Sequence, residues 1–119
     1  MTINVNEANL VFHLQTDHTS YIFRIMENGE AGQIYYGQKI HVQPNYKNLT
    51  SREWRDDNPS LSEEDPNFQP PAIKSEYASL GKGDFRYPAF QVTQENGSRI
   101  TELTYDHYQL LNGKSRLAD

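Results

Sequence analysis

The chain contains no cysteine, which excludes a disulfide framework, a thiolate zinc site and a cysteine nucleophile. It has no run of about 18 apolar residues, and its mean hydropathy of -0.86 argues against a transmembrane helix. Basic residues are scarce. Eleven Lys and Arg against 16 Asp and Glu give a net charge of -5, the wrong sign for a surface built to hold phosphate backbones. There is no internal repeat, no heptad pattern and no helical period of ordinary length. The stretch from Met1 to Glu7 lacks the basic start and apolar run of a secretory signal. These absences predict a soluble, acidic, cytoplasmic chain of 119 residues, about one domain's worth, with no nucleic-acid or membrane partner.

What is present points to β structure. Eight tyrosines and five phenylalanines favour pleated, half-buried surfaces. Residues 10–15 alternate. In Tyr21-Ile22-Phe23-Arg24-Ile25-Met26, the residues Tyr21, Phe23 and Ile25 face one way, and Ile22, Arg24 and Met26 the other. Asn28-Gly29 follows at once and predicts a hairpin with a type I′ turn. The return strand is expected at 33–36, with Gly37 as a bulge and 39–42 resuming the pairing. Later strands are expected at 89–94 and 99–105, around Asn96-Gly97, with 107–111 as an extension or a further strand. Leu80-Gly81-Lys82-Gly83-Asp84 and Asn112-Gly113 read as turns.

Residues 43–75 differ. They hold five of the six prolines and the acidic clusters Asp56-Asp57 and Glu63-Glu64-Asp65, so they read as a long loop. Leu49, Trp54, Leu61, Phe68 and Ile73 are expected to anchor it to a surface. The four histidines, at 13, 18, 41 and 107, lack metal-pair spacing and read as ordinary strand or surface residues, so no metal is expected. No Gly-x-Ser-x-Gly elbow or phosphate loop occurs. Adjacent acids in a loop are solvated more often than catalytic. Trp54, between Glu53 and Arg55, is the one aromatic weighed for sugar stacking or a partner's pocket against simple anchoring.

Three stretches together resemble one family. They are Tyr21-Ile22-Phe23-Arg24-Ile25 with Asn28-Gly29 and Tyr35-Tyr36-Gly37; Gly81-Lys82-Gly83-Asp84-Phe85-Arg86-Tyr87-Pro88-Ala89-Phe90; and Asn96-Gly97-Ser98 through Tyr105 to Gly113-Lys114. The chain resembles the N-terminal part of bacterial α-galactosidases of glycoside hydrolase family 36, and the Gly-Asp-Phe-Arg-x-Pro-Ala segment carries the likeness most specifically. The resemblance implies an all-β fold, an antiparallel β-sandwich that is part of a galactose-mutarotase-like β-supersandwich, with little or no helix. It implies one N-terminal domain over 1–119, truncated before its last strands. The family's two catalytic aspartates belong to a following (β/α)8 barrel, and its Lys-Trp-Asp motif is not found here. No catalytic residue and no cofactor is therefore expected in this chain.

The implied function is the non-catalytic part of a retaining enzyme that removes terminal α-galactosyl residues from melibiose, raffinose and related sugars. Its implied partners are the remainder of the enzyme chain, further copies in a homo-oligomer and, in the parent, the α-galactoside. In tetrameric family members, loops of this domain reach a neighbouring subunit's active site. The matching region is 48–60, with Trp54 and Arg55 as the substrate-side candidates. The alternative is a stand-alone carbohydrate-binding or oligomerisation β domain. If later strands are missing, apolar surface should be uncovered and the chain should self-associate.

Overall fold

The computed structural model describes residues 1–50, 73–81 and 84–113. Its centre is one antiparallel sheet of four strands, β1 (Thr2–Asn6), β2 (Val11–Gln15), β3 (Thr19–Ile25) and β4 (Ala31–Gln38), in the order β1-β2-β3-β4. A short 3-10 turn, Lys47–Leu49, is the one helical element among the described residues. The all-β antiparallel class is thus as expected.

Register assigns the side chains to two faces. Phe12 pairs with Phe23 and Leu14 with Tyr21, while His13 pairs with Ile22 and Val11 with Arg24. With a side-chain period of two, Ile3, Val5, Phe12, Leu14, Tyr21, Phe23 and Ile25 share one face. We call it the aromatic face. Phe12 and Phe23 stack there with ring centroids 4.8 Å apart and planes 9° from parallel. The opposite, inner face carries Val11, His13, Ser20 and Ile22, and residues 40–49 cover it. Val11, Ile22 and Tyr46 form its core, with Ile34, Tyr35, Ile40 and Leu49 packed around them.

The turns correct one expectation. Gly29 has φ +83°, but Asn28 does not share the left-handed region, so the turn is not type I′. The Gly29 N–H donates to the Met26 carbonyl (2.9 Å), and the Met26 N–H donates to the Glu30 carbonyl (2.8 Å). That is a type I turn closed by a left-handed glycine bulge. Asn28 accounts for the choice, because its Oδ1 accepts the Glu30 N–H at 3.1 Å, a local bond that an Asn side chain makes readily in a turn. Residues 94–98 repeat the arrangement. Gly97 has φ +79°, its N–H donates to the Gln94 carbonyl at 2.9 Å, and Asn96 Oδ1 accepts the Ser98 N–H at 2.9 Å. The same Glu-Asn-Gly triplet folds the same way twice.

Three further findings differ from the sequence reading. β1 was not foreseen. The irregularity in β4 lies opposite Ile22/Phe23, where Tyr35 pairs with Ile22 and Gln33 with Phe23, so Ile34 is the extra residue and Gly37 pairs regularly with Ser20. The strands expected at 89–94, 99–105 and 107–111 join no ladder among the described residues. The turn at 96–97 forms, but its arms stop pairing beyond Gln94 and Ser98. An isolated two-stranded hairpin has no face to bury and is marginal in water. The layers over the sheet are chain segments rather than a second sheet: 40–49 on the inner face and 103–110 on the aromatic face.

The edge of β4 is covered at one end. Gln33 donates its N–H to the Lys74 carbonyl (2.7 Å), and Glu76 donates to that of Ala31 (2.9 Å). This short return also brings residues 73–76 next to the segment that carries Asp84 and Arg86.

Candidate functional site

The aromatic face bears an apolar groove of about 420 Å³. Ile3, Phe12, Leu14, Phe23 and Ile25 form its floor, and Tyr77, Leu103, Tyr105, Tyr108 and Leu110 its walls. The wall segment is tied down at one end of the sheet. Tyr105 donates its N–H to the Gly29 carbonyl at 2.7 Å. Three residues on, Tyr108 meets Phe12 edge to face at 5.2 Å and donates its hydroxyl to Glu7 Oε1 at 2.9 Å. That bond raises the phenol pKa of Tyr108, because ionisation would set two negative charges side by side. Beyond these ties the cover fails. Leu103, Leu110 and Leu111 are 49%, 56% and 65% exposed, and Val92 and Ile100 are about as open. Glu30 and His107 also line the groove, but its floor is apolar, and what that floor can do is bury apolar side chains.

A second constellation sits in the segment that carried the family likeness. Gly81, at φ +111°, and Asp84 exchange backbone bonds of 2.9 and 3.0 Å. Asp84 is buried at 4% exposure. Arg86 grips its carboxylate with Nε at 2.9 Å from Oδ1 and Nη2 at 2.5 Å from Oδ2, and adds its own backbone N–H at 3.1 Å. The same guanidinium reaches the Ile73 carbonyl (2.7 Å) and the Ser75 hydroxyl (3.0 Å). Burial alone pushes the Asp84 carboxyl up; the Arg86 hydrogen bonds and charge outweigh it and hold the pKa below the ordinary value. Nε, Nη1 and Nη2 each donate to the chain's own atoms, so the pair is a clasp between two segments. Phe85 and Tyr87 alternate with it and point outward, 74% and 96% exposed.

A third cluster joins the sheet to its inner cover. His13 Nδ1 lies 2.7 Å from Tyr46 Oη, and Nε2 lies 2.9 Å from Ser20 Oγ. On the aromatic face, burial and then the neighbouring Glu76 carboxylate raise the pKa of Tyr21. One oxygen of Glu76 is buried with no partner among the described residues.

The substrate-side candidates Trp54 and Arg55 lie outside the described residues, as do both acidic clusters of the loop. Of the histidines, His13 is buried, whereas His107 is exposed and lies 2.6 Å from its neighbour Asp106. Among the described residues no group of three or more His, Asp or Glu is placed to hold a metal ion. Nor is any helix among them long and apolar enough to cross a membrane. The clasp and the His13 cluster were missed. The alternation of Asp84 and Arg86 with two aromatics was a readable sign of the clasp, but nothing local links His13 to Tyr46.

The profile of the glycosyl hydrolase family 36 N-terminal domain matches residues 29–119. A crystal structure of the α-galactosidase from Lactobacillus brevis is 82% identical, with a TM-score of 0.88, and the match covers 98% of this chain and 16% of that one. The α-galactosidase AgaA of Geobacillus stearothermophilus is 30% identical over 117 residues, 98% of this chain and 16% of AgaA. A crystal structure of a substituted form of AgaA in complex with raffinose is 32% identical, with a TM-score of 0.77, over 90% of this chain and 15% of that one. The chain therefore spans about one sixth of the length of these relatives.

Proposed function

This chain belongs to the family of glycosyl hydrolase family 36 N-terminal domains, and we propose that it serves as the non-catalytic N-terminal scaffold of an α-galactosidase. The observation that carries the reading is the uncovered apolar surface. One sheet offers an open groove, and the segment from Val92 to Leu111 has strand-like alternation but no ladder, and exposes Val92, Ile100, Leu103, Leu110 and Leu111. Such a surface is what a sheet shows before its packing partner is added. In this proposal the partner is the remainder of an α-galactosidase chain, whose strands pair with 89–111 and whose side chains fill the groove.

The parent then hydrolyses α-galactosides, with raffinose as the natural probe because AgaA crystallised with it. The chemistry resides outside these residues, and this chain supplies the scaffold, one domain over 1–119. The same reading makes the parent a cytoplasmic homo-oligomer in which the loop within 43–75 reaches a neighbouring subunit, with Trp54 and Arg55 on the substrate side.

Reconstitution tests it. The L. brevis enzyme lacking the matching N-terminal part is mixed with this chain and assayed on raffinose. We expect neither piece to be active alone, and a stoichiometric complex to restore hydrolysis. In that complex Trp54→Ala raises KM more than it lowers kcat. A truncated enzyme that is fully active without this chain and forms no complex with it overturns the scaffold. Raffinose binding by the isolated chain would favour the carbohydrate-binding alternative instead.

A further inference from the structure

We propose that the hydrogen-bond chain through His13 is a pH-sensitive latch. With the imidazole neutral, it clamps residues 40–46 onto the inner face of the sheet; protonation of the imidazole releases them.

The geometry leaves little freedom. His13 is 1% exposed in the middle of β2, Ser20 is 0% and Tyr46 5% exposed. Both imidazole nitrogens are engaged by hydroxyls, and each hydroxyl already accepts a backbone amide from the covering segment. The Ile40 N–H donates to Ser20 Oγ at 3.0 Å, and the Gln43 N–H donates to Tyr46 Oη at 3.1 Å. A neutral imidazole has one donor and one acceptor. One hydroxyl gives it a proton and the other receives one, and either tautomer completes the ring's bonds. An imidazolium has two donors. Both hydroxyl oxygens then accept from the ring as well as from the backbone, and the second hydroxyl proton, beside the one already turned away in the neutral state, must find another acceptor. Among the described residues neither hydroxyl has a carbonyl or carboxylate partner to take it. A buried group in that position costs far more than the bond it replaces returns.

Among the described residues no carboxylate is bonded to the imidazole. On β1 the inner face presents Asn4 and Asn6, and Glu7 beyond it is exposed and bonded to Tyr108. On β3 the charged residue of this face is Arg24, whose sign makes protonation harder. On β4 Tyr35 turns its hydroxyl to the Gln38 carbonyl (2.9 Å). In the cover, His41 and Lys47 are exposed, and Tyr46 is the latch itself. Burial holds the His13 pKa below its ordinary value of 6.5, in agreement with this arrangement. A cavity of about 660 Å³ adjoins the imidazole, lined by Asn4, Asn6, Glu7, Val42 and Pro44 among others, with the Glu7 carboxylate engaged by the Tyr108 hydroxyl, so water can enter as the segment lifts.

The test is an NMR titration of the 119-residue chain from about pH 8 to about pH 5, reading the four histidine rings and the amide protection factors together. We expect the His13 ring to stay neutral below the ordinary histidine value. Protection at Ile40 and Gln43 should fall by up to about tenfold per pH unit below that value. The amides of Phe12 and Ile22 in the sheet should keep theirs. In His13→Gln the acid-dependent loss at Ile40 and Gln43 should vanish. Should that variant fail to fold, Tyr46→Phe is read instead, with protection lost at Gln43 at every pH and retained at Ile40 above the transition. A His13 ring that titrates at the ordinary histidine value overturns the latch. So does protection at Ile40 and Gln43 that falls only in parallel with the sheet. The outcome is independent of whether the chain works within an α-galactosidase.

Discussion

Replacing Arg86 by alanine isolates the clasp between residues 73–75 and the family-like segment. Arg86 makes two short bonds to the Asp84 carboxylate and one each to the Ile73 carbonyl and Ser75 hydroxyl. The Asp84 side chain is 6% exposed and that of Arg86 33%. Removing one partner of a buried ion pair leaves the other charge unsolvated and costs about 3–5 kcal/mol. Because a third of the guanidinium side chain is in water, solvent can reach the vacated space, and the Arg86 backbone N–H remains on Oδ1. The low end, about 3 kcal/mol, is therefore expected. That is a large share of the about 5–15 kcal/mol typical of a domain.

The sign of the pH dependence follows. In the native chain the Asp84 carboxyl is held below its ordinary value of 3.8. Its contribution is present above that value and is lost as pH falls through the folded pKa. In Arg86→Ala the buried carboxylate loses its cation, its pKa rises, and the variant recovers part of its deficit in acid. Urea midpoints followed by circular dichroism at about pH 7 and about pH 4 should show the gap between the two proteins narrowing. Adding Asp84→Asn to Arg86→Ala should recover stability at neutral pH, because the orphaned charge is gone. A single variant within about 0.5 kcal/mol of the native chain, the range of an ordinary surface substitution, would refute the reasoning. So would a double variant weaker than the single.

Two glycines in the same turn type make a matched pair. Gly29→Ala and Gly97→Ala both place a side chain at φ near +80°, at a cost of about 1 kcal/mol. A Cβ at Gly29 also meets Thr104 at 3.3 Å, whereas one at Gly97 meets nothing within 4 Å. Gly29→Ala should therefore lose more in thermal unfolding and loosen the 103–105 segment, while equal losses would place that segment off the turn. Phe12→Ala removes the ring stacked on Phe23 and capped by Tyr108; about 3–5 kcal/mol is expected by urea denaturation, with increased binding of a hydrophobic dye as the groove opens.

Much of the sheet was legible because its causes are local. The alternation of 11–15 and 21–25 assigned side chains to faces correctly, since a period of two leaves only two choices. The Glu-Asn-Gly triplets marked turns, although the turn type depended on an Asn side chain bonding the following backbone. β1 was overlooked because Asn4 and Asn6 give it the look of a loop. Their amides are bonded in the structure to Gln15 Oε1 (3.4 Å) and the Pro44 carbonyl (3.1 Å), partners 11 and 38 residues away.

The remainder was decided by assembly in three dimensions. A strand pattern such as 99–105 states only which side chains could share a face; a ladder needs a partner, and none is placed beside it among the described residues. His13 in isolation reads as an ordinary strand histidine. Its confinement comes from Ser20, seven residues on, and Tyr46, 33 residues on, brought to its two nitrogens by the fold of 40–46 over the sheet. By itself the sequence determined the strand faces, the turn positions and the family likeness, because these rest on neighbours in the chain. The clasp, the groove and the latch were settled by the tertiary structure, because each depends on atoms that only folding brings together.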